Sequence, residues 1–400
     1  MKIAFVVPHL MSGGVETFVL RLGDYFVKQG CSVDLLATEK EGDWFNLAIS
    51  RGMVVKCLPV EKSFAPVIHA IRVGRWLRSG AYDAIILNHA KYAQAAIQLL
   101  PSNTVVVPVI HNDDKEVYRV ACANRQACNF LVGVSRRVCK AVKAHFPETP
   151  IYEIWHGVEA PKTNSRLKRL EGEPLKLIYV GRVQHHQKGV FYLVDIVKGC
   201  IKEGIKVELT VVGEGGDLEA LQSRVRESGL ESIVKLVGSR SYEAVLRCLS
   251  RHHVLLMPSH YEGFGLVAIE AQAAGCVPVA NYIADVTDVT IAHGISGFLV
   301  EDNEINQYVS LIKELYDDTD QWLKMSSAAM SRVEGLFSIE KMGEAYLDLL
   351  EAERECTYVR NKRLALEWQL LGWRAFVPQF LRSAREYLTM AQKKLFRIKP

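Results

Sequence analysis

A chain of 400 residues, 49% hydrophobic and 24% charged, is long enough for two or three domains and has the balance of a soluble globular protein. Its nine cysteines are odd in number and form no C-x-x-C pair, which argues against a disulfide framework or a zinc site and fits a reducing cytoplasm. The net charge of +4 is unevenly placed. Arg354 to Pro400 carries eleven Lys/Arg against three Glu, so this tail points to an anionic partner and the rest of the chain is net acidic.

Lys2 to Val7 reads as a buried strand, too short an apolar run for a signal peptide, and no later stretch is long enough to span a membrane. Pro8 to Gly14 is a loop, and Val15 to Lys28 is an amphipathic helix that stops at Gly30. Ser12-Gly13-Gly14 therefore lies at the carboxyl end of the first strand, where open α/β sheets bind ligands. The spacing is not G-x-G-x-x-G, so a dinucleotide fingerprint is absent; the glycines could also serve only the turn. Apolar runs at 32–37, 53–58, 83–88, 104–110 and 128–134 alternate with helical patterns such as Val67 to Leu77 and Tyr92 to Leu100. That alternation predicts a parallel, doubly wound sheet. His111 ends the strand 104–110, beside Asn112-Asp113-Asp114. The blocks Val132-Gly133-Val134-Ser135 and Trp155-His156-Gly157-Val158 follow, and the polar stretch Ala160 to Pro174 reads as an interdomain linker.

The plan then restarts. Leu175 to Val180, Val207 to Val212 and Ile233 to Val237 are predicted strands; Gly189 to Cys200, Leu218 to Val225 and Tyr242 to Leu249 are predicted helices. Gly181-Arg182 ends the first of these strands and Lys188-Gly189 opens its helix, which puts two cations at a strand end. Val212-Gly213-Glu214-Gly215 and Val237-Gly238-Ser239-Arg240 are further glycine blocks. The stretch Pro258-Ser259-His260-Tyr261-Glu262-Gly263-Phe264-Gly265-Leu266-Val267-Ala268-Ile269-Glu270 follows the apolar run Val254 to Met257. It reads as strand, tight glycine loop and helix, with the helix amides turned to an anion. Glu262 and Glu270 frame that anion site. Eight residues of helix rise roughly 12 Å, too far for both to serve one atom and suited to the two ends of a nucleotide sugar. The plainer reading is a strand-loop-helix unit with two solvated glutamates.

This stretch resembles the E-x7-E signature of the retaining glycosyltransferases with the two-Rossmann (GT-B) fold, in the large glycosyltransferase family 4 group. The Gly-Gly-Val-Glu of residues 13–16 resembles the same family's first loop. The other glycine blocks, together with Val277-Pro278-Val279-Ala280 and Gly297-Phe298-Leu299-Val300, follow in family order over about residues 2 to 350. The resemblance implies an α/β protein with two Rossmann-like doubly wound domains facing across a cleft. Residues 1–165 would form the acceptor domain and 166–340 the nucleotide-sugar donor domain. The last segment, 341–400, would be helices crossing back to the first domain and a basic tail. It implies that Gly13 and Gly14 approach the acceptor, and Gly14 also the donor phosphate. Arg182 and Lys188 would hold the donor diphosphate, with Gly263, Phe264, Gly265 and Leu266 at the helix start. Gly238 and Arg240 would lie at the nucleobase and Glu270 at the ribose, while Glu262 and His111 would be near the transferred sugar. His111, Glu262, Arg182 and Lys188 form the expected catalytic set. One block departs from the family: Asn281-Tyr282-Ile283-Ala284-Asp285 stands where a Gly-Gly-x-x-Glu turn is usual.

The expected reaction is retaining transfer of a hexose from a UDP- or GDP-hexose to a cell-envelope or polysaccharide acceptor, such as one required for lipopolysaccharide. The only D-x-D triplet, Asp318-Thr319-Asp320, reads as a helix cap, so neither a metal nor another cofactor is expected; cations and helix amides would stabilise the leaving diphosphate. An epimerase acting on a nucleotide sugar, or a non-catalytic binding relative, are the alternatives. The first lacks convincing added acid/base carboxylates, and the intact Arg182, Lys188, Glu262 and Glu270 set argues against the second. No nucleic-acid partner is expected. In the tail, Arg and Lys interleave with Trp368, Leu370, Leu371, Trp373, Phe376, Phe380, Leu388 and Phe396, the composition of an interfacial helix on anionic lipid. A basic helix packed on the first domain is the alternative. The first reading puts the enzyme at the cytoplasmic face of a membrane, with a glycan or glycolipid acceptor.

Overall fold

The computed structural model describes residues 1–11, 13–61, 65–159, 172–302, 304–355 and 368–371. It divides into two units. The first holds Met1–Gly133 and Cys139–Glu153 with, among the described residues, the chain from Gly343 on; the second holds Val134–Val138 and Ile154–Met342.

The first unit is built on seven parallel strands: β1 (Lys2–Val7), β2 (Ser32–Ala37), β3 (Val54–Cys57), β4 (Ala84–Asn88), β5 (Val105–Ile110), β6 (Leu131–Gly133) and β7 (Ile151–Glu153). Their order is β3-β2-β1-β4-β5-β6-β7. Ile3 to Val7 and Val105 to Ile110 are buried throughout, as the near-continuous apolar runs of a parallel sheet covered on both faces require. Helices α1 (Gly14–Lys28), α2 (Phe45–Ser50), α3 (Pro66–Ser79), α4 (Lys91–Ala95), α5 (Lys115–Ala121) and α6 (Arg136–His145) follow the strands in turn. Ala70, Val73 and Leu77 of α3 pack on Ala4, Val6, Leu36, Ile85 and Val106 of the sheet.

Differences from the sequence reading have local causes. The expected helix Tyr92 to Leu100 breaks at Ala96 into α4 and a single 3-10 turn, Ile97–Leu99. There Gly74 of α3 lets Ala96 and Leu99 press close, and the buried Gln94 side chain bonds the carbonyls of Ala121 and Ala123. The expected strand 128–134 shortens to β6, because the Asn129 side chain takes the Val106 N–H at 3.0 Å in place of a backbone partner. Strand β7 and helix α2 were too short to register in the sequence pattern.

The second unit carries six parallel strands: β8 (Leu175–Val180), β9 (Val207–Val212), β10 (Val234–Gly238), β11 (Val254–Met257), β12 (Val277–Asn281) and β13 (Phe298–Val300), in the order β10-β9-β8-β11-β12-β13. Its helices are α7 (His185–Lys188), α8 (Tyr192–Lys202), α9 (Leu218–Glu227), α10 (Tyr242–Leu249), α11 (Leu266–Ala273), α12 (Thr287–Thr290), α13 (Ile305–Asp317) and α14 (Thr319–Leu336); α15 (Ile339–Glu355) begins here and continues into the first unit. Leu177, Leu209, Leu256 and Val279 of the strands meet Ile196, Ile312 and Trp322 of the helices in one core. Asp318 caps α14, accepting the Gln321 N–H at 2.8 Å, as its D-x-D triplet predicted.

In each sheet the strand order reverses once, between β1 and β4 and between β8 and β11. Loops leaving a reversal point in opposite directions open a crevice at the carboxyl edge. In the second unit this crevice lies between the segments after β8 and after β11. The expected helix at Gly189 starts instead at Tyr192, because Gly189 takes a left-handed conformation (φ 60°) and closes α7. A Cβ there would collide with the carbonyl oxygen of Pro258, so glycine is required twice over. Gly189→Ala should cost on the order of 3 kcal/mol from backbone strain and the forced separation of the two segments. Denaturant melts of the two proteins check this; matching midpoints would show that the segments do not approach as described.

Candidate functional site

In the first unit, Gly13 is the residue before α1, extended at φ −177° and without a side-chain cap. Thr17 closes the turn onto the Gly13 carbonyl through both its amide (3.0 Å) and its hydroxyl (2.8 Å). A Cβ on Gly13 would fall on the carboxylate of Glu16, which folds back over the loop. Glu16 is buried, and burial raises its pKa from 4.5 to about 7 against the opposing effect of its own backbone N–H. Nδ1 of His9 stands 3.3 Å from its Oε1. The sequence reading takes Glu16 only as the last residue of the Gly-Gly-Val-Glu block and gives it no role of its own. The signal that could have found it is its place three residues after the cap position, where a glutamate reaches back to the helix start.

His111 follows β5, with Nε2 2.9 Å from Oδ1 of Asn88 and its ring edge-on to Phe18 at 4.9 Å. Burial, helped by His89, pulls its pKa down to about 3, so the imidazole is neutral at physiological pH. It can give or take a hydrogen bond but brings no positive charge. Gly13, Gly14 and His111 thus share the carboxyl edge of the first sheet.

The other predicted site residues belong to the second unit. Tyr179 at the end of β8 donates its hydroxyl to the Arg182 carbonyl (2.7 Å), and the exposed Arg182 donates Nη2 to Oε1 of Gln187 (2.8 Å). Lys188 ends α7, and its ammonium meets Oε1 of Glu262 at 2.6 Å. The side chains of this pair are only 15% and 9% exposed. Between them the backbone is tied again, His260 N–H donating to the Gln187 carbonyl at 2.9 Å.

Glu262 lies in the loop, and α11 begins only at Leu266, behind Gly265 in a left-handed conformation (φ 80°). Phe264 is buried against His156 and Phe337, at 5.3 and 5.9 Å between rings, which pins the glycine loop from beneath. Glu270 follows on α11 and is 8% exposed, and Glu262 is 7% exposed, so the reading of two solvated glutamates is set aside. Gly238 ends β10 at φ 71°, Glu214 accepts the next N–H, from Ser239, at 3.3 Å, and Arg240 is exposed.

The departure at Asn281–Asp285 carries a network that the sequence did not reveal. Asn281 donates to the Ser259 carbonyl (3.2 Å) and to Asp302 (2.9 Å), and accepts from the Tyr308 hydroxyl (2.9 Å). Asp302 also meets Nδ1 of His260 at 3.2 Å. These contacts position the loop that bears Glu262. Among the described residues no group of three or more His, Cys, Asp or Glu is arranged to hold a metal.

Two seven- and six-stranded parallel sheets flanked by helices, each with a single reversal of strand order, define the GT-B fold, and the comparisons agree. Residues 12–160 match the family described as Glycosyltransferase Family 4, and residues 162–332 match Glycosyl transferases group 1. The chain belongs to the GT-B glycosyltransferases of the family 4 type. Among its relatives is a glycogen synthase of Mycobacterium tuberculosis, 27% identical over half of this chain and 49% of that one. The chain spans about half the length of most of the curated relatives it matches. Several solved structures share the fold. HepE of Anabaena in complex with UDP and glucose has a TM-score of 0.74 at 18% identity, covering 88% of this chain and all of that one. TarM of Staphylococcus aureus has a TM-score of 0.74 at 15% identity, covering 87% and 99%.

The raised Glu16 carboxyl has a measurable consequence. Unfolded, it ionises near 4.5; folded, it keeps its proton to about 7, so the fold loses relative stability as pH rises between those values. Glu16→Gln has no such proton to lose. Relative to the natural protein it should gain on the order of 3 kcal/mol across that window, read from denaturant melts at a series of pH values. A constant difference from pH 4.5 to 7 would show that Glu16 ionises as an ordinary glutamate.

Proposed function

We propose that this protein is a retaining, metal-independent hexosyltransferase that takes a hexose from UDP- or GDP-hexose and passes it to a polysaccharide or cell-envelope acceptor. The observation that carries the reading is the meeting of Arg182, Lys188, Glu262 and the start of α11 at the strand-order reversal of the second unit. As the sugar bond breaks, charge develops on the leaving diphosphate. Two cations and the amides at the start of α11 are the groups that can receive it without a metal. Glu270 would accept from the ribose hydroxyls, and Gly238 and Arg240 would border the base. Glu262 would accept from the hexose. In the first unit Gly13 and Gly14 would approach the acceptor, and the neutral His111 would hydrogen-bond the sugar. Retention follows from the family resemblance, with reaction on the front face of the sugar. UDP in HepE and TarM, and glucose in HepE, make UDP-glucose the first donor to test.

Incubation with labelled UDP-hexose and GDP-hexose should release the diphosphate and sugar slowly, and the release should persist in EDTA. Arg182→Ala should lower kcat/KM about 100-fold, a loss of roughly 3 kcal/mol of transition-state stabilisation, with the melting temperature unchanged. Activity that vanishes with chelator and returns with magnesium would refute metal independence. Near-normal turnover by Arg182→Ala would remove it from the diphosphate site.

We further propose that the enzyme works at the cytoplasmic face of a membrane, held by the basic tail. Most of Arg354 to Pro400 lies outside the described residues, but Leu370 is buried in the α3 and α4 core and its carbonyl accepts from Arg119 at 3.3 Å. That residue therefore belongs to the packing of the first unit and not to a lipid-facing surface. No helix among the described residues is long and apolar enough to cross a membrane. The full chain should co-sediment with anionic vesicles, less at high salt, and truncation after Leu371 should abolish this while sparing the fold. Equal recovery in the supernatant with and without anionic lipid would leave a solvated tail.

A further inference from the structure

Lys188 and Glu262 are assigned above to different parts of a nucleotide sugar, yet here they hold each other at 2.6 Å. The segments that carry them cannot easily separate. Gly189 rests against the Pro258 carbonyl, His260 bonds Gln187 at 2.9 Å, and Gln187 in turn holds Arg182. Any rearrangement on binding must therefore come from the two side chains.

We propose that this ion pair makes recognition of the diphosphate and of the hexose conditional on each other. The inference rests on the nucleotide-sugar reading and deepens it. The ammonium has three donors, but a phosphate brought to it stands beside the Glu262 carboxylate, and two negative charges at that spacing repel. A diphosphate reaches Lys188 by drawing it from Glu262. The carboxylate left behind is 9% exposed, so water does little to replace the lost partner, and an unpaired buried charge is strongly unfavourable. The hydroxyls of a hexose are donors that can satisfy it. An intact nucleotide sugar thus serves both groups, whereas a nucleoside diphosphate serves Lys188 and strands Glu262. After transfer, Glu262 competes for Lys188 and helps to expel the product diphosphate.

The test is calorimetric titration of the full-length chain and of Glu262→Gln with UDP and with UDP-glucose, or with GDP and a GDP-hexose if thermal shift selects guanine. Gln keeps the shape and removes the competing charge. The variant should bind the nucleoside diphosphate about tenfold more tightly than the natural protein, the scale of one relieved like-charge contact. Its preference for nucleotide sugar over nucleoside diphosphate should shrink by a similar factor. Nucleoside diphosphate binding that is unchanged or weaker in Glu262→Gln overturns the proposal. Should that variant not fold, Glu262→Asp retracts the charge by one methylene and must shift the diphosphate affinity in the same direction. Failure of UDP, GDP and ADP to bind the natural protein at all is a separate result, which overturns the nucleotide-sugar reading itself.

Discussion

The close approach of two loops organises the second unit. The chain leaves β8 and β11 on either side of the strand-order reversal, and there is room for them to meet only because residue 189 has no side chain. Gly189 against Pro258, the Gln187–His260 backbone bond and the Lys188–Glu262 pair lie along that seam. An ion pair in such a place is a poor source of stability, because desolvating both charges offsets most of their attraction. Its value is positional. The seam fixes an ammonium, a guanidinium and a carboxylate within one crevice, beside the amides that open α11.

The first unit handles charge in the opposite manner. Its sheet edge offers His111, which burial keeps neutral, and Glu16, which burial brings near neutrality. One loop of glycines lies above them, with the Glu16 carboxyl folded across Gly13. A surface of that kind can orient hydroxyl groups through hydrogen bonds without attracting a phosphate by charge. The second unit concentrates the cations. That division suits a reaction in which one substrate is a sugar polymer or glycolipid and the other a diphosphate ester.

The fold was legible because parallel strands buried on both faces leave long apolar runs, as in Ile3–Val7 and Val105–Ile110, and because glycines mark where those runs end. The positions of single residues were legible through motif order, which put Arg182, Lys188 and Glu262 at the second reversal point. Three kinds of feature escaped. Side chains that bond to backbone groups, as Asn129 does just before β6 and Gln94 does within α4, shorten elements without altering the apolar pattern. Pairings between distant segments, Lys188 with Glu262 above all, have no trace in local periodicity. Burial of a polar residue such as Glu16 in the first turn of α1 depends on what the rest of the chain lays over it. The basic tail shows the same limit, since its interleaved apolar residues read alike whether they face lipid or protein, and Leu370 faces protein.

The block at Asn281–Asp285 shows how a departure from a family pattern can be absorbed. Glycines at a turn supply left-handed backbone; here Asp285 adopts φ 62° without one, a conformation that an aspartate tolerates better than most residues. The turn is then held by side chains. Thr287 donates its hydroxyl to the Asn281 carbonyl at 2.9 Å and accepts the Ile283 N–H at 2.6 Å. Asn281 itself reaches from the end of β12 to Ser259 and Asp302, and Asp302 reaches His260. A loop that glycines would have shaped by backbone freedom alone is instead braced against the segment that carries Glu262. Side-chain bracing restricts that segment's motion, so any exchange at Lys188 falls to the side chains of the pair rather than to movement of the loops.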